Sequence, residues 1–310
     1  MEMLYLPVLM LAILASRPFL WGSGSARART ALTRLTADGP SATGEERAEL
    51  LRSLVFRDRL VVVAVVAAVA AIEILIASRG GIPPEMVVMT VSATHLLLAL
   101  VIAQIVVAIV VSLHAGVRSA ALTARPVHVA VARMRRPGVA EYASRLALVT
   151  PAVFLALTLL ANTIVLIAVL RGSIPEGLAV LSFTALAIGA VVYLVAIALS
   201  VTLAQRSVRA VSSFGIFSAD LSRAEAVRAL LGLAGTSAAA ALYISLYPLS
   251  AFFFAGGGGY EDTGASLFAF LAVVVFVVVF IVMFRNAFRV DGTREMTQRL
   301  WAGRREHQDA

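Results

Sequence analysis

Apolar residues in this chain gather in long runs rather than in narrow stripes, and short polar breaks separate the runs. Six of them, Leu60–Ser78, Met86–Leu113, Leu146–Leu170, Gly177–Gln205, Ala229–Ala255 and Ser266–Phe284, can cross a hydrocarbon core of about 30 Å at a rise of about 1.5 Å per residue. The breaks group them into three hairpins, 60–113, 146–205 and 229–284. The pattern predicts an all-α fold, a polytopic transmembrane helix bundle of six core spans.

The first hairpin turns at Arg79-Gly80-Gly81-Ile82-Pro83-Pro84-Glu85, and 92 residues later the turn returns as Arg171-Gly172-Ser173-Ile174-Pro175-Glu176. At the same offset Ala48-Glu49 matches Ala140-Glu141, and Leu54/Leu146, Val61/Val153, Ile72/Ile164 and Val88/Val180 coincide without a gap. Apolar coincidences carry little weight in a small membrane alphabet. A shared turn and a shared acidic anchor carry more, and they predict an internal repeat. A third, more diverged copy is expected to begin at Ala224-Glu225.

Ahead of the bundle, residues 1–21 hold a shorter apolar stretch, Met3–Trp21, interrupted by Arg17 and Pro18. It reads either as a seventh span or as an interfacial elbow, and Glu2 without a basic n-region argues against a signal peptide. Segment 22–59 is polar and should be cytoplasmic. Within it, Ser41-Ala42-Thr43-Gly44-Glu45-Glu46 is a helix start, followed by Leu50, Leu51, Leu54 and Val55 as a stripe for the membrane surface or the bundle. Pro126 and Pro137-Gly138 bracket Val127–Arg136, which reads as a short basic helix carrying Arg133, Arg135 and Arg136. The tail, 285–310, reads as a basic amphipathic segment in which Met296, Leu300 and Trp301 form an apolar edge beside Arg299. Arg133, Arg135, Arg136, Arg299 and Trp301 are therefore expected at a lipid or partner surface.

Charge sets the orientation. All 26 basic residues are arginine, and 24 of them fall in segments 17–59, 113–145, 206–228 and the tail after Phe284, leaving Arg79 and Arg171 on the other side. The positive-inside rule makes the arginine-rich side and the C-terminus cytoplasmic, as in the cytoplasmic membrane of a bacterium. All three hairpins then point the same way, giving a parallel rather than an inverted repeat. The net charge of +8 and a composition that is 60% hydrophobic fit a multi-pass membrane protein, and the basic loops lack the motifs of a nucleic-acid module.

Candidate chemistry is sparse. Glu73 is the only acidic residue in the six runs, and His95 lies on the partner helix of its hairpin. A carboxylate and an imidazole in a dry bundle can carry a proton, so Glu73, His95, Gln104 and Tyr243 are expected along a proton or substrate pathway. The competing reading makes Glu73 and His95 structural groups, with Gln104, Thr158, Asn162 and Thr163 as helix-packing contacts. The chain has no HExxH, G-x-S-x-G or Walker A sequence and no cysteine; an enzyme, a metal site or a cofactor is not expected.

Three two-span units are similar in plan to mitochondrial carriers, but the P-x-[DE]-x-x-[KR] motif of those carriers is absent. Six spans with helices in the cytoplasmic loops also look like the membrane half of an ABC exporter, a likeness of architecture without a diagnostic motif. Two functions remain: a transport or permease component without its own nucleotide-binding domain, or a non-transporting sensor, anchor or assembly module. Expected partners are the lipid bilayer, a cytoplasmic energising or signalling subunit and further copies of the chain.

Overall fold

The computed structural model describes residues 42–56, 59, 60, 63, 90–124, 131, 132, 137–172, 176–207, 209, 210, 212–254, 297 and 299–301. Met3–Trp21, Ser266–Phe284 and nearly all of Leu60–Ser78 lie outside these residues, as do Glu73, Arg133, Arg135 and Arg136.

Helix α1 covers 44–56, and α2 covers Thr90–Ala124. The four-residue α3, Val139–Tyr142, leads into α4, Arg145–Leu170, and then α5, Glu176–Gln205, and α6, Ser213–Phe254. Four of these, α2, α4, α5 and α6, are long and apolar enough to cross a membrane, and the protein is membrane-embedded. Their large apolar side chains point outward: Leu146, Val153, Leu160 and Leu170 on α4 and Leu181, Ile188, Leu194 and Leu199 on α5 are all exposed on the chain, as lipid contact requires.

Helix α6 is the exception. Only 17% of the apolar window of α5 is buried, against 78% for α6, which α2, α4 and α5 surround. Small residues allow this. Along α6, Ala234, Ala238, Ala239, Ala240 and Ala241 are buried, and a methyl group built on Gly189 of α5 would lie 3.2 Å from Ala241 Cβ and 3.4 Å from Leu155 Cδ2. Close backbone approach replaces hydrophobic burial as the packing force within lipid.

Local signals explain the helix ends. Ser144 caps α4 by accepting from the Ala147 amide, and Gly172, at φ 71°, provides the left-handed residue that ends it. Helix α1 starts with a capping box: the Glu46 amide donates to Thr43 Oγ1, and the Thr43 amide donates back to Glu46 Oε2. Ser212 opens α6 by accepting from the Gly215 amide.

Two expectations are corrected. Val131–Ala132 is not helical but forms a two-residue strand, β1, antiparallel to β2, Arg209–Ala210. The alternation of Val127, Val129 and Val131 suits a strand, and Arg136, preceding Pro137, is disfavoured in a helix. The second correction concerns the start of the third hairpin, expected at Ala229. The helix begins earlier, and from Ser213 onward the chain is the first part of α6, continuous with the span.

Candidate functional site

At one end of the bundle, here termed the cap end, α1, α3, the start of α6 and the 297–301 segment meet. Leu50 and Leu54 of α1, Val111 and Ala115 of α2, Tyr142 of α3, Phe217 and Leu221 of α6 and Trp301 share one apolar cluster. The Trp301 indole is 4% exposed and stands edge-on to Phe217, with ring centroids 5.6 Å apart. Trp301 therefore belongs to the core of this chain and not to an outward lipid or partner surface. Its neighbour Arg299 is exposed yet also committed inward, donating through Nη1 to the carbonyls of Ala140 and Ala143 at 2.9 and 3.2 Å. A guanidinium at the last carbonyls of α3 satisfies groups that so short a helix leaves open.

Polar groups lie beneath this cap. Tyr142 donates its hydroxyl to Asp220 Oδ1 at 3.0 Å, and Asp220 is 1% exposed. Arg223, three residues on and on the same helical face, is 3% exposed, and its Nη2 has no hydrogen-bond partner among the described residues. Nearby, Ser53 of α1 and His114 of α2 share a hydrogen bond of 3.0 Å, and the Ser212 hydroxyl donates to Glu46 Oε1. Burial pushes the Glu46 carboxyl up, but hydrogen bonds from Ser212 and from the amide and hydroxyl of Thr43 outweigh it and leave the group below its ordinary value.

Deeper in the bundle, polar side chains of all four spans are buried. Hydroxyls in helices commonly bond back to the carbonyl four residues earlier. Thr158, Thr184, Thr202, Ser222 and Thr236 do so here. Ser182, Ser200 and Ser237 do not: their buried hydroxyls have no partner among the described residues, and the same holds for Gln104 Oε1 on α2 and Asn162 Oδ1 on α4. Asn162 is anchored through its nitrogen, which donates to the Thr158 carbonyl at 2.9 Å and to Ser245 Oγ at 2.8 Å.

Of the expected pathway residues, Gln104 is buried on α2, and Tyr243 is half-buried on α6. The backbone of His95 lies in α2, whereas its side chain and Glu73 are outside the described residues. Sequence reasoning passed over Asp220 and Arg223 because it began the third hairpin's first span at Ala229. The readable signal was Ser212 as a helix cap, followed by no proline until Pro248. Comparison with protein-family models, curated proteins and solved structures finds no match to this chain.

Proposed function

We propose that the chain is a transport or permease component of a bacterial cytoplasmic membrane, handling a small polar solute or ion and taking its energy from outside its own sequence. In this reading three parallel hairpins supply six core spans, Met3–Trp21 adds a seventh span or an elbow, and the cap end and C-terminus are cytoplasmic. The observation that supports it is a set of buried atoms on four helices that have no partner among the described residues, Gln104 Oε1, Asn162 Oδ1 and the hydroxyls of Ser182, Ser200 and Ser237. Polar groups buried at membrane depth without protein partners are the ordinary lining of a hydrated path. Glu73 and His95 are proposed to extend that lining from the first hairpin.

A non-transporting sensor, anchor or assembly module is the second reading. It draws on the cap, where segments from before, within and after the bundle meet in one core, a natural place for a cytoplasmic partner to act. Cysteine accessibility separates the two readings, because the chain has no native cysteine. Single substitutions Ser200→Cys and Ser237→Cys should react with a membrane-impermeant thiol reagent in vesicles, whereas the lipid-facing controls Leu160→Cys and Ile188→Cys should not. Reaction requires water to ionise the thiol. Inert cysteines at both serine positions, from either side of the membrane, would count against transport and leave the second reading.

A further inference from the structure

The contact of Gly189 with Leu155 and Ala241 sets the register of α4, α5 and α6. Helix α5 runs antiparallel to the other two, so moving seven residues from this contact toward the Arg171–Gly172 turn leads to Ser182 on α5 and Asn162 on α4. The corresponding level of α6 lies at Ile244–Pro248. Seven residues is close to two helical turns, about 10 Å along the bundle and back on the same face. Ser245, at that level, accepts the Asn162 amide hydrogen bond, which confirms the register.

Four oxygens lie at this level of the three helices. The Asn162 amide has a fixed orientation, because Thr158 O can only accept and so must face the nitrogen; its Oδ1 is turned away, buried and without a partner among the described residues. The Ser182 hydroxyl is equally buried and has no partner among the described residues. Ser245 Oγ is the third. Pro248 lies inside α6 and carries no N–H, so the carbonyl of Ile244 has no amide donor four residues on and is the fourth.

We propose that Asn162 Oδ1, Ser182 Oγ, Ser245 Oγ and the Ile244 carbonyl form a binding site for a dehydrated monovalent cation of the sodium class. Hard cations take oxygen ligands, and a carbonyl that a proline leaves without its amide donor is one such oxygen at membrane depth. No carboxylate belongs to the set, so a divalent ion would bring uncompensated charge into the bilayer. Asn162 lies eight residues from the end of α4 at Leu170, about 12 Å inside that end. The proposal rests on the transport reading and gives it an energy source: an ion moving down its gradient.

The test is thermal unfolding of the detergent-purified full chain in NaCl, KCl and choline chloride at equal ionic strength. A ligand that binds only the folded state raises Tm in proportion to the logarithm of its concentration above Kd. The expected result is a rise with the logarithm of Na⁺ concentration that choline does not produce. In Ser182→Ala and Ser245→Ala the Na⁺ concentration at which the rise begins should increase by about tenfold or more, while Tm in choline stays close to that of the unsubstituted chain in Ser182→Ala and falls in Ser245→Ala, which leaves an Asn162 N–H without its acceptor. Equal curves in all three salts, or a Na⁺ response unchanged in both variants, would overturn the site and leave its oxygens to water. Hydrated single-cysteine positions with no Na⁺ response would remove the cation site and spare the transport reading. A Na⁺ response without solute or ion flux in proteoliposomes would keep the site and remove transport.

Discussion

At the scale of single residues, the bond between Tyr142 and Asp220 has the most direct energetic consequence. A buried carboxylate that loses a donor keeps its desolvation cost with one hydrogen bond fewer to offset it, and hydrogen bonds to charged groups contribute about 1.5–3 kcal/mol. Tyr142→Phe keeps the ring, which is almost fully buried, and removes only the donor. It should destabilise the folded protein by about that amount in chemical unfolding from detergent. Combining it with Asp220→Asn should cost less than the sum of the two single changes, because the neutral amide no longer depends on the phenol. Full additivity would mean that the bond contributes nothing. None of this was readable from residue types alone. Asp220 and Arg223 look like exposed loop charges in a segment rich in arginine, and only the continuity of α6 and the cover from α3 and Trp301 take them out of water.

At the scale of elements, helices whose ends coincide with changes in hydropathy were legible and helices that run past such changes were not. Arg145–Leu170 and Glu176–Gln205 begin and end within a residue of their apolar runs, because Ser144 caps one and Gly172 terminates it at the turn. By contrast α2 continues past Leu113 to Ala124 and α6 starts sixteen residues before Ala229; an apolar run measures the thickness of the membrane and not the length of the helix. The stripe Leu50–Leu54 of α1 was legible as a packing face, and the structure sets it against the bundle. Its attachment should depend on pH. Glu46 has a folded value held below the ordinary one by Ser212 and Thr43, so its contribution is fully present at neutral pH and is lost as the pH falls through that folded value. Protection of the amides in residues 44–56 from exchange, taken relative to the intrinsic rate at each pH, should be high and constant near neutrality and lower in acid. Glu46→Gln should bring the neutral protection toward the acidic level, and identical protection in both proteins at every pH would show that the carboxylate does not hold the helix. Leu50→Ala, at a fully buried position, should loosen α1 at any pH, at a cost of about 2–5 kcal/mol.

At the scale of the whole molecule, the four spans are not equivalent. Helix α6 is enclosed by the other three, whereas α4 and α5 present broad apolar faces, so α6 does not play the same packing role as either helix of the α4–α5 pair. This difference bears on the orientation argument. Arg223, counted among the cytoplasmic arginines, is buried in the bundle and cannot act as a solvent-facing topology signal in the folded protein. Removing it from the count leaves 23 arginines against Arg79 and Arg171, an asymmetry on which the proposed cytoplasmic position of the cap end still rests. A reporter active only in the periplasm, fused after Arg305, should therefore be silent, and a cytoplasmic reporter at the same position should be active. The same pair inserted at Gly172, where the turn is exposed and a methyl group would meet nothing within 4 Å, should give the reverse. An active periplasmic reporter after Arg305 would invert the orientation of the bundle. It would also move the proposed cation site, which lies toward the Arg171–Gly172 turn, from the outer half of the membrane to the inner half and reverse the side from which the ion first reaches it.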